Sequence, residues 1–289
     1  MLSRFARLRQ ATGLVNANVF AVLATALAFA LRLYRLNDAN IWWDEGWTIW
    51  LSRQDLAAIA LRTASDEHPP LHYWLMHFWT GAAGTDAFAG RFFSLFFGVL
   101  MVALVYRIGR LIGGPWLGTM AAILLALSRF SIWWSQDIKN YTLSGFFALA
   151  SMWFVLRLLN APLARWRDRG LWIGYVLSIT LALYSHYLAA LIFLADNLLM
   201  LIVLLREWLA RRSPITLLLR WSAAQVAVLA LFAPWMALYL SNAITFQAAP
   251  AFNFGVFMRL TATVFALGIT TYIENYAAIV AVFTLLALV

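Results

Sequence analysis

Long apolar segments are the feature that most limits what this chain can fold into. A helix needs about 20 mainly apolar residues to cross a bilayer. Seven segments approach or reach that length, and an eighth begins near Asn275 and continues to the last residue. The seven cover residues 14–31, 91–108, 116–132, 141–159, 171–185, 188–205 and 219–240. We therefore predict an all-α fold, a polytopic transmembrane helix bundle that forms a single domain over residues 1–289.

The composition excludes a soluble fold. Hydrophobic residues make up 64% of the chain and charged residues 11%, whereas soluble domains carry roughly 25% charged residues. The absence of cysteine excludes disulfides, thiolate nucleophiles and Cys-ligated metals. The eighth apolar segment ends at Val289 without a basic anchor after it, so we expect a longer protein whose C-terminal part is missing here.

The net charge of +9 indicates how the chain is oriented in the membrane, because arginines gather in cytoplasmic loops of membrane proteins. The basic clusters at 4–9, 107–110, 157–169 and 206–220 share one side only if the short segment 68–83 does not cross. We therefore predict a cytoplasmic N-terminus in the cell (inner or plasma) membrane. Residues 32–83 then form an extracytoplasmic loop with short juxtamembrane helices, and 188–205 pairs with 171–185 in a hairpin that turns near 185–187. No basic patch on a soluble face suggests nucleic acid.

This topology brings the polar residues that could do chemistry to the outer face. Asp44 and Glu45 adjoin Trp42 and Trp43, and adjacent carboxylates at a membrane surface could supply a general base. They could also bind a divalent cation, cap a helix, or form a solvated pair. His68 precedes two prolines and could bind a phosphate, orient a carboxylate, or cap a helix start.

A second polar group lies between two predicted spans. Gln136, Asp137, Lys139 and Tyr141 form an island that also fits an ordinary polar turn. Lys139 is the only lysine of the chain, and an ammonium suits an anionic phosphate. His186, at the next outer turn, has the same two interpretations. Asp196 lies inside a predicted span, where a carboxylate is either functional or held by an interhelical hydrogen bond.

Taken in order, these residues resemble a known family. The DE pair is followed by HPPL from His68, then Arg-Phe-Phe-Ser from Arg91, SQDIKNY ending at Tyr141, and SHY around His186. The pattern looks like the membrane glycosyltransferases of GT-C fold. It is similar above all to bacterial relatives of protein O-mannosyltransferases and of the lipid A aminoarabinose transferase. The resemblance covers about residues 30–240.

The resemblance implies a transferase that moves a sugar from a polyprenyl-phosphate-linked donor to an acceptor hydroxyl on a protein, lipid or glycan. It implies that Asp44 is the general base of an inverting reaction at the extracytoplasmic face, supported by Glu45 and His68. Lys139 stands where the family commonly has Arg; with Tyr141 it would bind the donor phosphate, while His186 would line the cavity. Membrane lipids are expected partners, and we predict no essential metal or other cofactor.

Two other classes remain open from the sequence. A transporter or lipid flippase would explain Asp196, although inverted repeats and helices broken by Gly or Pro, which are typical of transporters, are not evident. A non-catalytic scaffold gives no reason for all four histidines, the lone lysine and the DE pair to share one face.

Overall fold

The computed structural model describes residues 2–66, 68–160, 168–211, 214–242, 253–267 and 280–282, with backbone only for 2–15 and 265–267. These ranges contain helices and no strand, which confirms the all-α prediction. The helices are α1 Leu2–Leu33, α2 Trp43–Ser52, α3 Leu56–Ala64, α4 Leu71–Ala83, α5 Ala87–Gly113, α6 Pro115–Leu127, α7 Arg129–Ser135, α8 Tyr141–Leu159, α9 Arg169–Ser185, α10 Ala189–Leu209, α11 Ile215–Asn242 and α12 Phe254–Leu267.

Five described helices are long and apolar enough to cross a bilayer: α1 from Asn16, α5, α8, α10 and α11. Together they confirm a multi-pass membrane protein. The segment predicted as a span over residues 116–132 divides into α6 and α7, which together are apolar enough to cross a bilayer but meet at a bend of 61°. The hydroxyl of Ser128 accepts the backbone N–H of Ser131 and so caps a new helix at the break.

The turn predicted at 185–187 is present, since α9 ends at Ser185 and α10 begins at Ala189. At 17 residues, α9 is about 26 Å long, slightly short of the hydrocarbon thickness of about 30 Å. It nevertheless belongs to a buried core shared with α8 and α11, through Tyr175, Ile179 and Val228.

The segment predicted not to cross forms α4, which has 13 residues and would span only about 20 Å. With α2 and α3 it makes the layer of short helices expected in the loop 32–83. Ile49 of α2, Met76 of α4, and Phe93 of α5 form a buried cluster with Ile138 and Leu143. Through Ile138, this apolar cluster packs against the segment that carries the polar island.

Arg32 ties the C-terminal end of α1 to the bend between α6 and α7. Its side chain is fully buried, and its guanidinium donates to Ser135 Oγ at 3.0 Å, to Ser131 Oγ at 2.8 Å and to backbone carbonyls of α1 and α6. The end of α1 therefore fixes the segment that leads into the polar island.

Three predictions fall on residues that the structure does not describe, in whole or in part. The arginines 165 and 167, most of the eighth apolar segment, and much of a second outer stretch that the topology predicts over residues 241–271 lie outside the described residues. The division of the chain into a single domain with an outer loop stays a prediction.

Candidate active site

The DE pair opens helix α2. The carboxylate of Glu45, three residues after the N-cap Trp42, accepts the Trp42 backbone N–H at 3.4 Å, and both acidic residues lie in the first helical turn. Negative charge is favoured at that end of a helix, where backbone N–H groups are unpaired. The local sequence thus fixes where the two carboxylates begin, and tertiary contacts then separate their roles.

Glu45 is buried, with 1% of its surface exposed, and it forms a two-point ion pair with Arg91 of α5. Arg91 Nε donates to Oε1 at 2.8 Å and Nη2 donates to Oε2 at 2.7 Å. The remaining guanidinium N–H groups donate to the carbonyls of Leu36, Ala39 and Asn40. Glu45 also accepts the backbone N–H of Ile138 at 3.2 Å, so it joins α2, α5 and the island.

Asp44 has the opposite environment. Its side chain is 40% exposed, and Oδ2 lies 3.1 Å from Nζ of Lys139, which is itself 7% exposed. An ammonium has three N–H donors, and among the described residues Asp44 is the one ion-pair or hydrogen-bond partner of Nζ. The pair therefore presents an open carboxylate oxygen beside a cation with unused donors.

The island is held rigidly around Lys139. Gln136 Nε2 donates to the carbonyls of Arg32 and Tyr34, at 2.9 and 2.8 Å, and Asn140 Nδ2 donates to the carbonyl of Ser185 at 2.7 Å. Gly90 of α5 leaves room for Ile138, because a Cβ at that position would collide with the Ile138 side chain. The ammonium position is therefore set by three separate helices.

Asp137 lines a cavity together with Trp42. The indole Nε1–H of Trp42 donates to Asp137 Oδ1 at 3.0 Å, and Oδ2 is buried without a hydrogen bond of normal geometry. Burial raises the pKa of Asp137 to about 6; the charge of Glu45 adds to this, while the Trp42 bond and Lys139 oppose it. The pKa of this carboxyl group therefore lies closer to neutral pH than that of an ordinary aspartate.

We expect Asp137→Asn to change how stability depends on pH. An aspartate with a raised folded-state pKa costs stability as pH rises from about 4, where the unfolded chain ionises, through about 6. The Tm of Asp137→Asn minus that of wild type should therefore increase between pH 4 and 6.5, on the order of 5 °C. Taking the difference removes the titration of the histidines, which both proteins share. A difference that stays flat, as expected for the exposed helix-capping control Asp55→Asn, would contradict the prediction.

Aromatic rings continue the site from Lys139 toward the outer end of α9. The Tyr141 ring packs 4.1 Å from Trp134 and 5.6 Å from His186, and the His186 ring lies edge-on to His68 at 5.7 Å. Burial, and then the charge of His68, lower the pKa of His186 to about 4. Its Nδ1 accepts the Leu188 backbone N–H at 3.1 Å, so the neutral ring carries its proton on Nε2 and can donate there.

His72 was not predicted to be part of the site. It lies on the buried face of α4, 1% exposed, between Tyr73 and Phe93, and neither ring nitrogen has a well-formed hydrogen bond. Burial, followed by the nearby charges of Lys139 and His68, lowers the pKa of His72 to about 3. The buried imidazole near Lys139 is therefore neutral at physiological pH.

The cavity beside the island has a volume of about 500 Å³. Its walls combine tryptophans with the buried polar groups of the ion-pair network. The main lining side chains are Trp42, Glu45, Arg91, Trp133, Trp134, Gln136 and Asp137. A pocket of this size with aromatic walls and a few directed polar atoms is typical of a small-ligand site.

The structure places the predicted residues in two groups. Asp44 pairs with Lys139, and two residues further along the chain Tyr141 packs on His186, which lies against His68. Gln136, Asp137 and Glu45 line the cavity. Sequence reasoning also missed Arg91 as the partner of Glu45. Its signal was available, since a basic residue at the outer end of a span opposes the positive-inside pattern.

Asp196 is remote from this site. It is buried in α10 and its Oδ2 accepts the hydroxyl of Ser151 in α8 at 3.1 Å. The next residue, Asn197, joins Trp221 and Gln225 of α11. Asp196 therefore forms an interhelical hydrogen bond, which fits a role in helix packing within the bundle.

A bundle of apolar helices, five of them long enough to cross a bilayer, with polar side chains gathered at one end defines a multi-pass membrane protein with a candidate site. The chain belongs to the dolichyl-phosphate-mannose-protein mannosyltransferase family, which it matches over residues 67–237, more than half its length. It is therefore a membrane glycosyltransferase of the class that uses polyprenyl-phosphate-linked sugars. The match includes His68, the island and His186, but begins after Asp44 and Glu45. No curated protein gives a significant match.

Proposed function

We propose that the protein transfers a sugar from a polyprenyl-phosphate donor to an acceptor hydroxyl at the extracytoplasmic face of the cell membrane, with inversion and with Asp44 as general base. The observation that carries this proposal is the pairing of an accessible carboxylate, Asp44, with the chain's sole lysine at 3.1 Å. A base for the acceptor and a cation for the leaving phosphate are thereby held side by side.

The proposed reaction is a single displacement. An Asp44 oxygen takes the proton of the acceptor hydroxyl as that oxygen forms a bond to the anomeric carbon. The bond from that carbon to the phosphate oxygen breaks, and polyprenyl phosphate leaves with the electron pair. Lys139 stabilises the charge that grows on this phosphate. Attack on the face opposite the leaving group inverts the anomeric centre.

The remaining residues have supporting roles in this proposal. Glu45, fully engaged by Arg91, positions the first turn of α2 and so the backbone of Asp44. Tyr141, His68 and the Nε2–H of His186 lie along the phosphate side, where they can bind phosphate or sugar oxygens. Asp137, Gln136 and the tryptophan-lined cavity offer hydrogen bonds and a stacking surface to a sugar ring.

The first test offers membranes containing the full-length protein a panel of polyprenyl-phosphate sugars and follows release of polyprenyl phosphate. We expect release with one donor sugar, and incorporation of that sugar into an acceptor. If no donor is consumed by protein that retains a cooperative thermal transition, the transferase proposal fails and a lipid transporter becomes the better interpretation.

Replacement of Lys139 should weaken donor use more than it changes the fold. We expect Lys139→Gln to lower kcat/KM by about 10²-fold, because it removes the cation next to the leaving phosphate. Lys139→Arg should recover part of the activity, since it keeps the charge with different geometry. The measurement is polyprenyl phosphate release at several donor concentrations. Equal rates for the Gln and Arg variants would show that charge at this position is unimportant.

We expect chelation to leave transfer unchanged. Cations already neutralise both acidic residues of the DE pair, Arg91 at Glu45 and Lys139 at Asp44, so the two carboxylates do not fit a shared divalent ion. Activity measured after EDTA treatment and dialysis should stay within twofold of the untreated rate. A large loss restored by Mg²⁺, Mn²⁺ or Ca²⁺ would overturn this expectation and return the DE pair to consideration as a metal site.

A further inference from the structure

A basic groove lies at the end of the bundle opposite the candidate active site. Its volume is about 450 Å³ and it is lined by Asn18, Tyr106, Arg107, Arg110, Leu111, Trp153 and Arg157. Arg107 follows Arg91 along the same helix α5 by about 24 Å at 1.5 Å per residue. The groove is therefore separate from the DE pair and the island.

Three guanidinium groups share this groove without an acidic partner. None of Arg107, Arg110 and Arg157 forms a salt bridge among the described residues. The C-terminal ends of α5 and α8 contribute about −0.5 charge each, so roughly two positive charges remain. Like charges placed together repel one another, and a bound anion relieves that repulsion.

Trp153 organises two of these cations. The guanidinium carbon of Arg157 lies 5.1 Å from the centre of the Trp153 ring, and that of Arg107 lies 5.9 Å away. Stacking on an indole holds a guanidinium by its flat face and leaves its N–H groups at the edge for an acceptor. The hydroxyl of Tyr106 donates to Asn18 Oδ1 of α1 and fixes the opposite wall.

The position of the groove at the ends of membrane-spanning helices favours a lipid as its ligand. Arg110 and Arg157 lie in the last turns of α5 and α8, two helices of membrane-spanning length, and such ends meet the lipid headgroups. Leu111 lines the groove, and Ile112 beside it is 65% exposed, which provides apolar surface next to the charges. A phosphodiester with attached acyl chains complements both features.

We propose that this groove binds the phosphate headgroup of an anionic membrane phospholipid, held by Arg107, Arg110 and Arg157 around Trp153. The inference is independent of the transferase proposal, since it concerns the other end of the bundle. It predicts a bound lipid that co-purifies with the protein and stabilises the junction of α1, α5 and α8.

Native mass spectrometry of the full chain in detergent tests the proposal, with phosphatidylglycerol as probe and phosphatidylcholine as comparison. The wild-type protein should retain more phosphatidylglycerol than phosphatidylcholine. Arg107→Gln/Arg157→Gln should bind it about 25-fold more weakly, about fivefold per arginine near an anionic lipid. The matched control Arg53→Gln/Arg62→Gln removes the same charge from the active-site end, where Arg62 also stacks on Trp50, and should bind as wild type does.

Three results would overturn the proposal. The first is equal retention of the two lipids by wild type, and the second is an equal loss of phosphatidylglycerol binding in the groove variant and the control. The third is full displacement of phosphatidylglycerol by millimolar inorganic phosphate, which would indicate a site for free anions. If the double variant shows no thermal transition, the single variants Arg107→Gln and Arg157→Gln replace it. Wild-type binding by both would then contradict the inference.

Discussion

Asp44→Asn should abolish sugar transfer while leaving the protein folded. The change keeps the size of the side chain and an acceptor oxygen for Lys139, but it removes the basic carboxylate. General-base catalysis contributes roughly 10²- to 10⁴-fold to a rate, so we expect kcat to fall by at least 10²-fold. The substitution removes the ionic partner of Lys139, whose side chain is 7% exposed, but it keeps an acceptor oxygen for the ammonium, so we expect only a modest fall in Tm.

The assay for Asp44 is polyprenyl phosphate release under saturating donor, with Asp55→Asn as the matched control. Asp55 caps α3 by accepting the Ala58 backbone N–H at 2.8 Å, and asparagine caps equally well. The control should therefore keep the wild-type rate. A wild-type rate from folded Asp44→Asn would remove Asp44 as the base and direct attention to Asp137.

Arg91→Met should destabilise the protein more than any other single change considered above. The substitution leaves Glu45, 1% exposed, as an unpaired buried carboxylate and strips three loop carbonyls of their donor. Breaking a buried ion pair by removing one partner typically costs about 3–5 kcal/mol. We expect a clear loss in Tm, measured by thermal unfolding in detergent, and a loss of activity that follows the loss of fold.

The matched control for Arg91 is Arg35→Gln, which breaks a salt bridge of the opposite kind. Arg35 and Asp38 are 66% and 53% exposed, and solvated pairs contribute little to stability. Its Tm should be unchanged. If Arg91→Met unfolds at the wild-type temperature, Glu45 must find another partner or hold a proton, and the network around α2 would need a different explanation.

The span pattern could be predicted from the sequence because it depends on length and apolar composition alone. The segment 68–83, which the arginine distribution predicts not to cross, forms α4 with 13 residues. The length rule did not indicate the break at Ser128, where a single hydroxyl cap starts α7 at 61° to α6. Hydropathy averaged over many residues does not register one capping hydroxyl.

The separation of Asp44 from Glu45 could not be predicted, because adjacent residues on a helix differ only in the direction they face. Which of the two is buried depends on Arg91, 46 residues away. For the same reason, three histidines of one short segment looked alike in sequence, although only His72 of the three is fully buried. The predicted topology did place the DE pair and the lone lysine at the same end of the bundle.

The paired residues of the site lie far apart in the sequence, so their contacts form in a fixed order as the chain is synthesised. Glu45 reaches the membrane before Arg91 is made, so this carboxylate stays hydrated until α5 inserts and closes their pair. The island follows later, and Asn140 reaches its partner carbonyl only after Ser185 has been synthesised. Chains released after α5 but before Lys139 should already contain the Glu45–Arg91 pair, and a carboxyl-reactive probe would find Asp44 without its cation.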